Sequence, residues 1–356
     1  MTGARPENSD RTGPGAVNYL ILTLTRRCNL HCSYCYHGAS DEQQDMSIPT
    51  MDRAFSLAAS GSGPLHIQLT GGEPALVPEL IEAAAQRALS LKRACTIGVQ
   101  TNGTCLDERV IALFKRYQLQ VGVSLDGPPA IQEQVRGRAA DTLRGLQLLE
   151  SYGVPFRVTT VVSNRNAGSL DRLAWMLAGF RRALGLGLDL LVLKGKAREA
   201  AAPCPADPVE LIQGLTALVE TLEIINQRKE IPLQFREMEL VKRMLAAPKN
   251  VENRTRSFCY ARQGASLAVH PDGRLFPCGQ SLADPQFAAG RVDQARPVPL
   301  FPRQTLAELA TDCRSCPLEN RCPGDCPSRL HYNRNDNPLL ACDLYRTLAA
   351  FCLHNN

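Results

Sequence analysis

Six short apolar runs, separated by longer stretches of helical periodicity, constrain this chain more than any other feature. They are Tyr19–Thr25, Leu65–Thr70, Cys95–Thr101, Leu119–Leu125, Phe156–Val162 and Leu188–Leu193. Each is continuous or nearly continuous in apolar character, the pattern of parallel strands covered on both faces. The intervening VPELIEAAAQRALSLKR and DERVIALFKRYQ repeat apolar residues three and four apart, as one buried helix face requires. Six strand–helix alternations make a parallel α/β architecture. A partial barrel and an open doubly wound sheet both satisfy the count, and periodicity does not separate them. The alternation ends after Gly195. Asp207–Lys229 reads as a long amphipathic helix and Arg236–Ala247 as another. From about Thr255 the chain is rich in Cys, Pro and Arg and holds no Lys. These shifts divide it into a solvated tail (1–17), an α/β core (18–200), a helical bridge (201–254) and a Cys-rich module (255–356).

Fourteen cysteines in 356 residues are too sparse for a disulfide scaffold and too many for an ordinary cytosolic enzyme. The net charge of +5 gives no argument for nucleic acid or an anionic membrane as partner. No apolar run approaches membrane-spanning length, and the N-terminus lacks a signal-like apolar core. The expectation is a reduced, cytoplasmic protein whose thiols have a purpose.

Ten of the thiols form two constellations. The first is Cys28-Asn-Leu-His-Cys32-Ser-Tyr-Cys35-Tyr36, directly after the first expected strand. Loops at the C-terminal ends of parallel strands are where α/β proteins place their chemistry. A structural zinc site takes four closed ligands, whereas a four-iron cluster held by three cysteines leaves one iron open. Read by spacing alone, zinc completed by His31 or His37 stays open beside the cluster.

CxxxCxxC followed by an aromatic residue, at the end of the first strand of an α/β repeat, resembles the radical S-adenosylmethionine (radical SAM) superfamily. Further motifs stand at the following strand ends: Gly71-Gly72-Glu73-Pro74, Gln100-Thr101-Asn102-Gly103-Thr104 and Ser124-Leu125-Asp126-Gly127-Pro128. The resemblance implies a partial (β/α)6 TIM-like barrel. It implies that Cys28, Cys32 and Cys35 hold a [4Fe–4S] cluster whose fourth iron binds the amino and carboxylate groups of S-adenosylmethionine. Gly71, Gly72 and Glu73 would contact the methionyl amino group, with Pro74 also among the cofactor contacts, and Ser124 would lie near the ribose or carboxylate. Asn102 would join the cofactor contacts, and Tyr36 would flank the adenine through its backbone. Arg136 is the expected carboxylate partner, with Arg138 as its competitor. Electron delivery to the cluster would fall to a donor such as ferredoxin or flavodoxin.

The second constellation is Cys259–x13–Gly273–x4–Cys278, then Cys313–x2–Cys316–x5–Cys322–x3–Cys326, and finally Cys342. Bare, it reads equally as zinc sites completed by His270 or His331, or as a redox pair. Beside a radical SAM core it resembles the seven-cysteine SPASM module, which carries two auxiliary clusters. By that analogy Cys313, Cys316, Cys322 and Cys342 hold an outer cluster, and Cys259, Cys278 and Cys326 an inner one. Three [4Fe–4S] clusters are thus expected. Ligation should also stabilise a module with few large apolar residues.

Two positions depart from the sulfatase-maturing members of that family. They carry an eighth cysteine shortly after the first SPASM cysteine, where this chain reads Tyr260-Ala261-Arg262-Gln263-Gly264-Ala265. They also carry an acid after the second, where this chain has Gly279. Both argue against formylglycine formation and leave the inner cluster short of a ligand. Of the remaining thiols, Cys95 reads as a buried small hydrophobe, Cys105 lies near the site, Cys204 is a loop thiol, and Cys352 is packing or the missing ligand. Trp175 reads as core. The resemblance implies a peptide maturase that abstracts hydrogen from a precursor-peptide side chain to form a thioether or carbon–carbon (cyclophane) cross-link. A leader would be recognised by the barrel mouth, the helices at Asp207–Lys229 or a separate leader-binding protein. The alternatives are a SPASM-type dehydrogenase acting on a small molecule or protein, and a non-catalytic metal-binding or electron-transfer protein.

Overall fold

The order of strands in the sheet separates the two architectures that periodicity allowed. The computed structural model describes residues 16–38, 43–59, 61, 63–248, 259–295, 301, 312–322, 324–337 and 339–354. Its main strands are β1 (Tyr19–Thr23), β2 (Leu65–Thr70), β3 (Cys95–Thr101), β4 (Gln120–Ser124), β5 (Phe156–Val162) and β6 (Ala183–Leu190). Short strands β7 (Gln234–Phe235), β8 (Ser266–Val269) and β9 (Leu275–Phe276) complete a sheet of order β7-β6-β5-β4-β3-β2-β1-β8-β9. The first six are parallel neighbours in chain order. A doubly wound sheet reverses its order at a switch point. An unbroken order with right-handed crossovers keeps the connecting helices on one face. That is the wall of a barrel, and it is a partial one, because β1 pairs with β8 rather than with β6.

The two faces of the wall have different chemistry. Leu65, Ile67 and Leu69 of β2 are buried, while His66, Gln68 and Thr70 between them are only half-buried. On that second face, register sets Gln68 opposite Gly98 and Gln100 opposite Gly122. The glycines leave room for the amides to lie flat. A Cβ at Gly122 would sit 2.3 Å from Gln100 Oε1. The interior face is therefore polar, and the apolar core lies between sheet and helices.

Three expectations change. The sixth strand runs over Ala183–Leu190, not Leu188–Leu193. Its glycines hid it: Gly185 has φ +149°, and a Cβ there would fall 2.0 Å from the Gln234 carbonyl of β7. Trp175 is 52% exposed. Helix α6 (Leu170–Ala178) buries Leu170, Leu173, Ala174 and Leu177, and Trp175 lies just off that stripe. Val17, assigned to the tail, is core. Residues 1–15 of that tail, and 249–258 around the boundary at 254, lie outside the described residues.

The two helices expected after the core are α7 (Pro208–Asn226), capped by Asp207, and α8 (Arg236–Ala246). Both pack against the C-terminal helix α10 (Leu340–His354). Among the described residues no helix is long and apolar enough to cross a membrane.

Candidate functional site

The site is built where β1, β2, β3 and β4 end. After β1 the chain turns through the Cys28–Cys35 loop, and the Gly71–Gly72–Glu73 segment after β2 is sewn to it by backbone. Gly72 N–H donates to Thr25 O and Glu73 N–H to Arg27 O, both at 2.8 Å. A Cβ at Gly71 would lie 2.6 Å from Thr25 O, and one at Gly72 would lie 2.2 Å from Arg27 O. Only glycine permits that approach, which leaves bare backbone beside the cysteine loop. Pro74 opens the short turn Pro74–Leu76, where a missing N–H costs nothing.

Glu73 is 1% exposed. Its Oε1 accepts from Thr101 Oγ1 (2.5 Å) and Ala75 N (3.0 Å), and its Oε2 from Asn102 N (2.6 Å). Burial pushes its pKa up to about 6, against those three hydrogen bonds. Asn102 Nδ2 donates to Asn29 Oδ1 (3.0 Å), and its Oδ1 accepts from the Thr104 hydroxyl (2.7 Å) and N–H (2.9 Å). Asn29 in turn donates to Thr104 Oγ1 and Cys105 Sγ. Asn102 is thus a brace between the cysteine loop and the end of β3, and Cys105 belongs to the same network. Ser124 Oγ accepts from Gln100 Nε2 at 2.9 Å.

Asp126 is the hub of the fourth strand end. It accepts from Arg136 Nε (2.8 Å), Arg136 Nη2 (3.2 Å), Val161 N (2.9 Å) and the Tyr34 hydroxyl. Arg136 also lies over the Tyr34 ring, 5.3 Å from its centroid. Burial raises the Cys32 pKa, and Arg136 is the positive neighbour that works against that rise. Arg138 pairs with Asp141 at the surface. Of the two arginines, the structure brings only Arg136 to the cysteines. Its Nε and Nη2 serve Asp126, and among the described residues Nη1 makes no hydrogen bond.

Tyr36 is half-buried, and burial followed by the neighbouring Cys35 and Cys278 thiols raises its pKa. A Cβ at Gly279 would sit 3.8 Å from its hydroxyl. The two constellations therefore meet at Tyr36. Behind it, Lys196 N–H donates to Cys35 O at 3.0 Å, and a Cβ at Gly195 would lie 2.5 Å from that carbonyl.

The C-terminal thiols separate into two groups. Cys326 is raised by burial first, with Cys259 and Cys278 among its charged neighbours. Cys322 is raised to about 11 by burial, with Cys316 and Cys313 beside it. Cys342 reaches about 12 by burial, with Cys322 and Cys313 beside it. Isolated thiols in such surroundings hold their protons, and a bound cation is what deprotonates a ligating thiol. Backbone N–H groups already point at sulfur: Leu30 at Cys28 and Gly324 at Cys322, each at 3.4 Å. Hydrogen bonds to sulfur of this kind are what tune the potential of an iron–sulfur cluster wherever one is held. Among the described residues, no three Cys, His, Asp or Glu side chains form a group fit to hold a single metal ion.

The histidines offered for zinc have other partners. His37 Nδ1 is 2.9 Å from Arg26 Nη1, His270 pairs with Asp272, His331 stacks edge-on to Phe287 and Tyr332, and His31 is exposed. Cys352 packs on Met238, with sulfurs 3.3 Å apart, so it is packing rather than the missing ligand. Cys95 is part-buried and bonds Ala88 O at 3.3 Å, and Cys204 is exposed. Asn29, Tyr34 and Asp126 were not singled out in sequence, although all three lie inside the quoted motifs. Their signal was polar or aromatic character at fixed strand-end positions.

Residues 22–174 match the family model described as Radical SAM superfamily. The serine-type anaerobic sulfatase-maturating enzyme of Klebsiella aerogenes is 26% identical, over 96% of this chain and 86% of that one. The structure titled native anSMEcpe with bound AdoMet superposes with TM-score 0.70 at 19% identity, covering 95% of this chain and 97% of that one. Streptococcus suis SuiB bound to precursor peptide SuiA superposes with TM-score 0.62 at 14% identity, covering 89% of this chain and 73% of that one. These two likenesses are of fold.

Proposed function

Starting from the chain's place in the radical SAM superfamily, as an enzyme that uses S-adenosylmethionine and a [4Fe–4S] cluster, we propose that it is a peptide maturase. It removes two hydrogens from a precursor peptide and closes a thioether or carbon–carbon cross-link. The observation that carries this reading is Tyr36. It follows Cys35 and stands at Gly279, which follows Cys278. One residue thus borders both thiol groups, an arrangement suited to a two-electron oxidation in one closed space.

Cys28, Cys32 and Cys35 would hold the radical-generating cluster. Cys259, Cys278 and Cys326 would hold an inner auxiliary cluster, and Cys313, Cys316, Cys322 and Cys342 an outer one. When bound, cluster and cofactor supply a 5′-deoxyadenosyl radical that takes a hydrogen atom from the substrate. The chain's own residues position the reactants. Bare backbone at Gly71 and Gly72 would receive the cofactor's ammonium, and Glu73 orients that segment through Thr101 and Asn102. Arg136, held by Asp126, offers Nη1 to a carboxylate. Ser124 and Asn102 lie at the same end of the sheet, and Tyr36 would flank the cofactor on the side of the C-terminal module.

Two facts support peptide over small-molecule substrates. The Klebsiella relative matures a sulfatase, and SuiB carries a precursor peptide. Gly279 and the thiol-free stretch 260–265 favour a cross-link over formylglycine.

The test is anaerobic reconstitution. Roughly twelve irons per chain are expected if all three sites carry [4Fe–4S] clusters. Dithionite and S-adenosylmethionine should then release 5′-deoxyadenosine. Replacing Cys28, Cys32 and Cys35 by Ala should abolish release while auxiliary-cluster absorbance remains. Zinc in place of iron, or no cleavage, would refute the proposal.

A further inference from the structure

A cavity of about 800 Å3 lies between the loop after β6 and the segment around helix α9 (Pro327–Tyr332). It is outside the cysteine site but shares a wall with it. Leu193 and Ala197 line the cavity, and the same loop backs Cys35 through the Lys196 N–H bond. On the far side, buried Asn333 clamps the two walls together. It accepts from Leu193 N at 2.9 Å and donates to Leu191 O at 2.9 Å. An occupant would touch the core and the C-terminal module at once.

The cavity's charges are unevenly placed. Arg198 and Arg334 share the lining with Glu199 and Asp336; after burial, the charges that act on His331 are Asp284 and then Arg334 and Arg198, whereas the two lining carboxylates do not. Asp284, the acid at that end, is engaged by the Tyr332 hydroxyl at 2.6 Å. Lys194 Nζ lies 5.5 Å from the Tyr332 ring centroid and is satisfied by two backbone carbonyls. Among the described residues, neither Arg198 nor Arg334 has a carboxylate partner; Arg198 Nε donates to Leu193 O. Two guanidiniums without carboxylates, at one end of a cavity walled by Leu193, Ala197, Pro203 and Tyr332, match a ligand with carboxylates on an extended backbone. The volume is near the top of the roughly 300–1,000 Å3 range of ligand pockets, room for several residues rather than one ion.

We propose that this cavity is a docking subsite for an acidic segment of the precursor peptide, seated on Arg198 and Arg334 beside the modifying site. The proposal rests on the maturase reading for its substrate class, but binding itself is measured without the radical reaction, which enters only as a control on the variants. The reconstituted full chain, without S-adenosylmethionine, is titrated with a fluorescein-labelled, capped hexapeptide alternating Glu and Ala. Lys–Ala and all-Ala peptides are the comparisons. Exposed Cys204 lines the same cavity, so its maleimide labelling, read by mass spectrometry, reports occupancy.

The acidic peptide should bind more tightly than either comparison, weaken with salt and protect Cys204. The Arg198→Glu, Arg334→Glu double variant should bind it at least tenfold more weakly, about 1.4 kcal/mol, and lose the protection. The Arg198→Gln, Arg334→Gln variant should be intermediate. Both should keep uncoupled 5′-deoxyadenosine release, which shows an intact fold and cofactor site. Equal binding of the three peptides, or acidic binding that leaves Cys204 reactive or ignores the substitutions, overturns the subsite. Loss of the maturase reading would appear separately, as 5′-deoxyadenosine release without any peptide modified.

Discussion

Replacing Asp126 by Asn should destabilise the chain far more than the loss of one surface pair would. Its carboxylate is 1% exposed and Arg136 11% exposed. The pair is therefore held in a poorly solvated place, where the attraction of the partner is what offsets desolvation. Removing one partner of a buried pair costs about 3–5 kcal/mol, against about 0–1 kcal/mol for a surface pair. Asn keeps one acceptor oxygen for Tyr34 or the Val161 N–H, so the loss is mainly the stranded guanidinium. Removing both charges, in Asp126→Asn with Arg136→Met, should be much less damaging than the sum of the single changes, because nothing charged stays buried. The assay is anaerobic thermal unfolding of reconstituted wild type, two single variants and the double variant by circular dichroism, with cluster absorbance followed in parallel. An Asp126→Asn melting point equal to wild type, or a double variant as poor as the summed singles, would refute the argument.

Three further outcomes follow from the same geometry. Glu73 has its pKa raised from 4.5 to about 6 in the folded chain, so its contribution to stability is present below pH 4.5 and lost as pH rises through about 6. Wild type should lose about 2 kcal/mol over that window relative to Glu73→Gln, read as the pH dependence of the difference in denaturation midpoints. Gly145 of α5 (Ala139–Ser151) packs so closely that a Cβ would fall 2.0 Å from Gly103 O. Gly145→Ala should therefore cost about 1–3 kcal/mol by overpacking, and should raise Cys105 labelling by maleimide as the Asn29–Asn102–Thr104 brace loosens. Cys326→Ser should lower iron content by up to one cluster, whereas Cys352→Ser should leave iron unchanged; an equal loss from both would contradict the thiol grouping.

Much of this fold was legible because its strands are covered by helices on one side and carry a code on both. The runs at β2, β3 and β5 coincide with the observed strands, but β2 alternates Leu65, Ile67 and Leu69 with His66, Gln68 and Thr70, so only one face is covered by apolar packing and not both as expected. The strand β6 was displaced because Gly185 and Gly187 weaken the signal there, and their value lies in tertiary approach to Gln234 and Arg236. Trp175 went wrong for a related reason: bulk says nothing about which side of a helix a residue occupies. Strands β7 and β8 are two and four residues long and are specified by their partners rather than by their own periodicity.

The candidate site shows the same division. Cys and Gly motifs at strand ends were visible because few other residues do their work. The choice of Arg136 over Arg138 was not visible, because it depends on which guanidinium turns inward to Asp126 and which pairs with Asp141 outside. Nor was the brace role of Asn102 and Asn29, which requires loops seventy-three residues apart to meet.

The central claim, radical oxidation of a peptide, is tested most directly by mass spectrometry of candidate precursor peptides drawn from any short reading frames that neighbour this chain's gene. Each peptide is incubated with the reconstituted chain, S-adenosylmethionine and reductant. The account predicts a product lighter by two hydrogens, with a cross-link mapped by fragmentation and 5′-deoxyadenosine formed in step with it. An unchanged peptide beside abundant 5′-deoxyadenosine, or turnover on a small molecule instead, would contradict it.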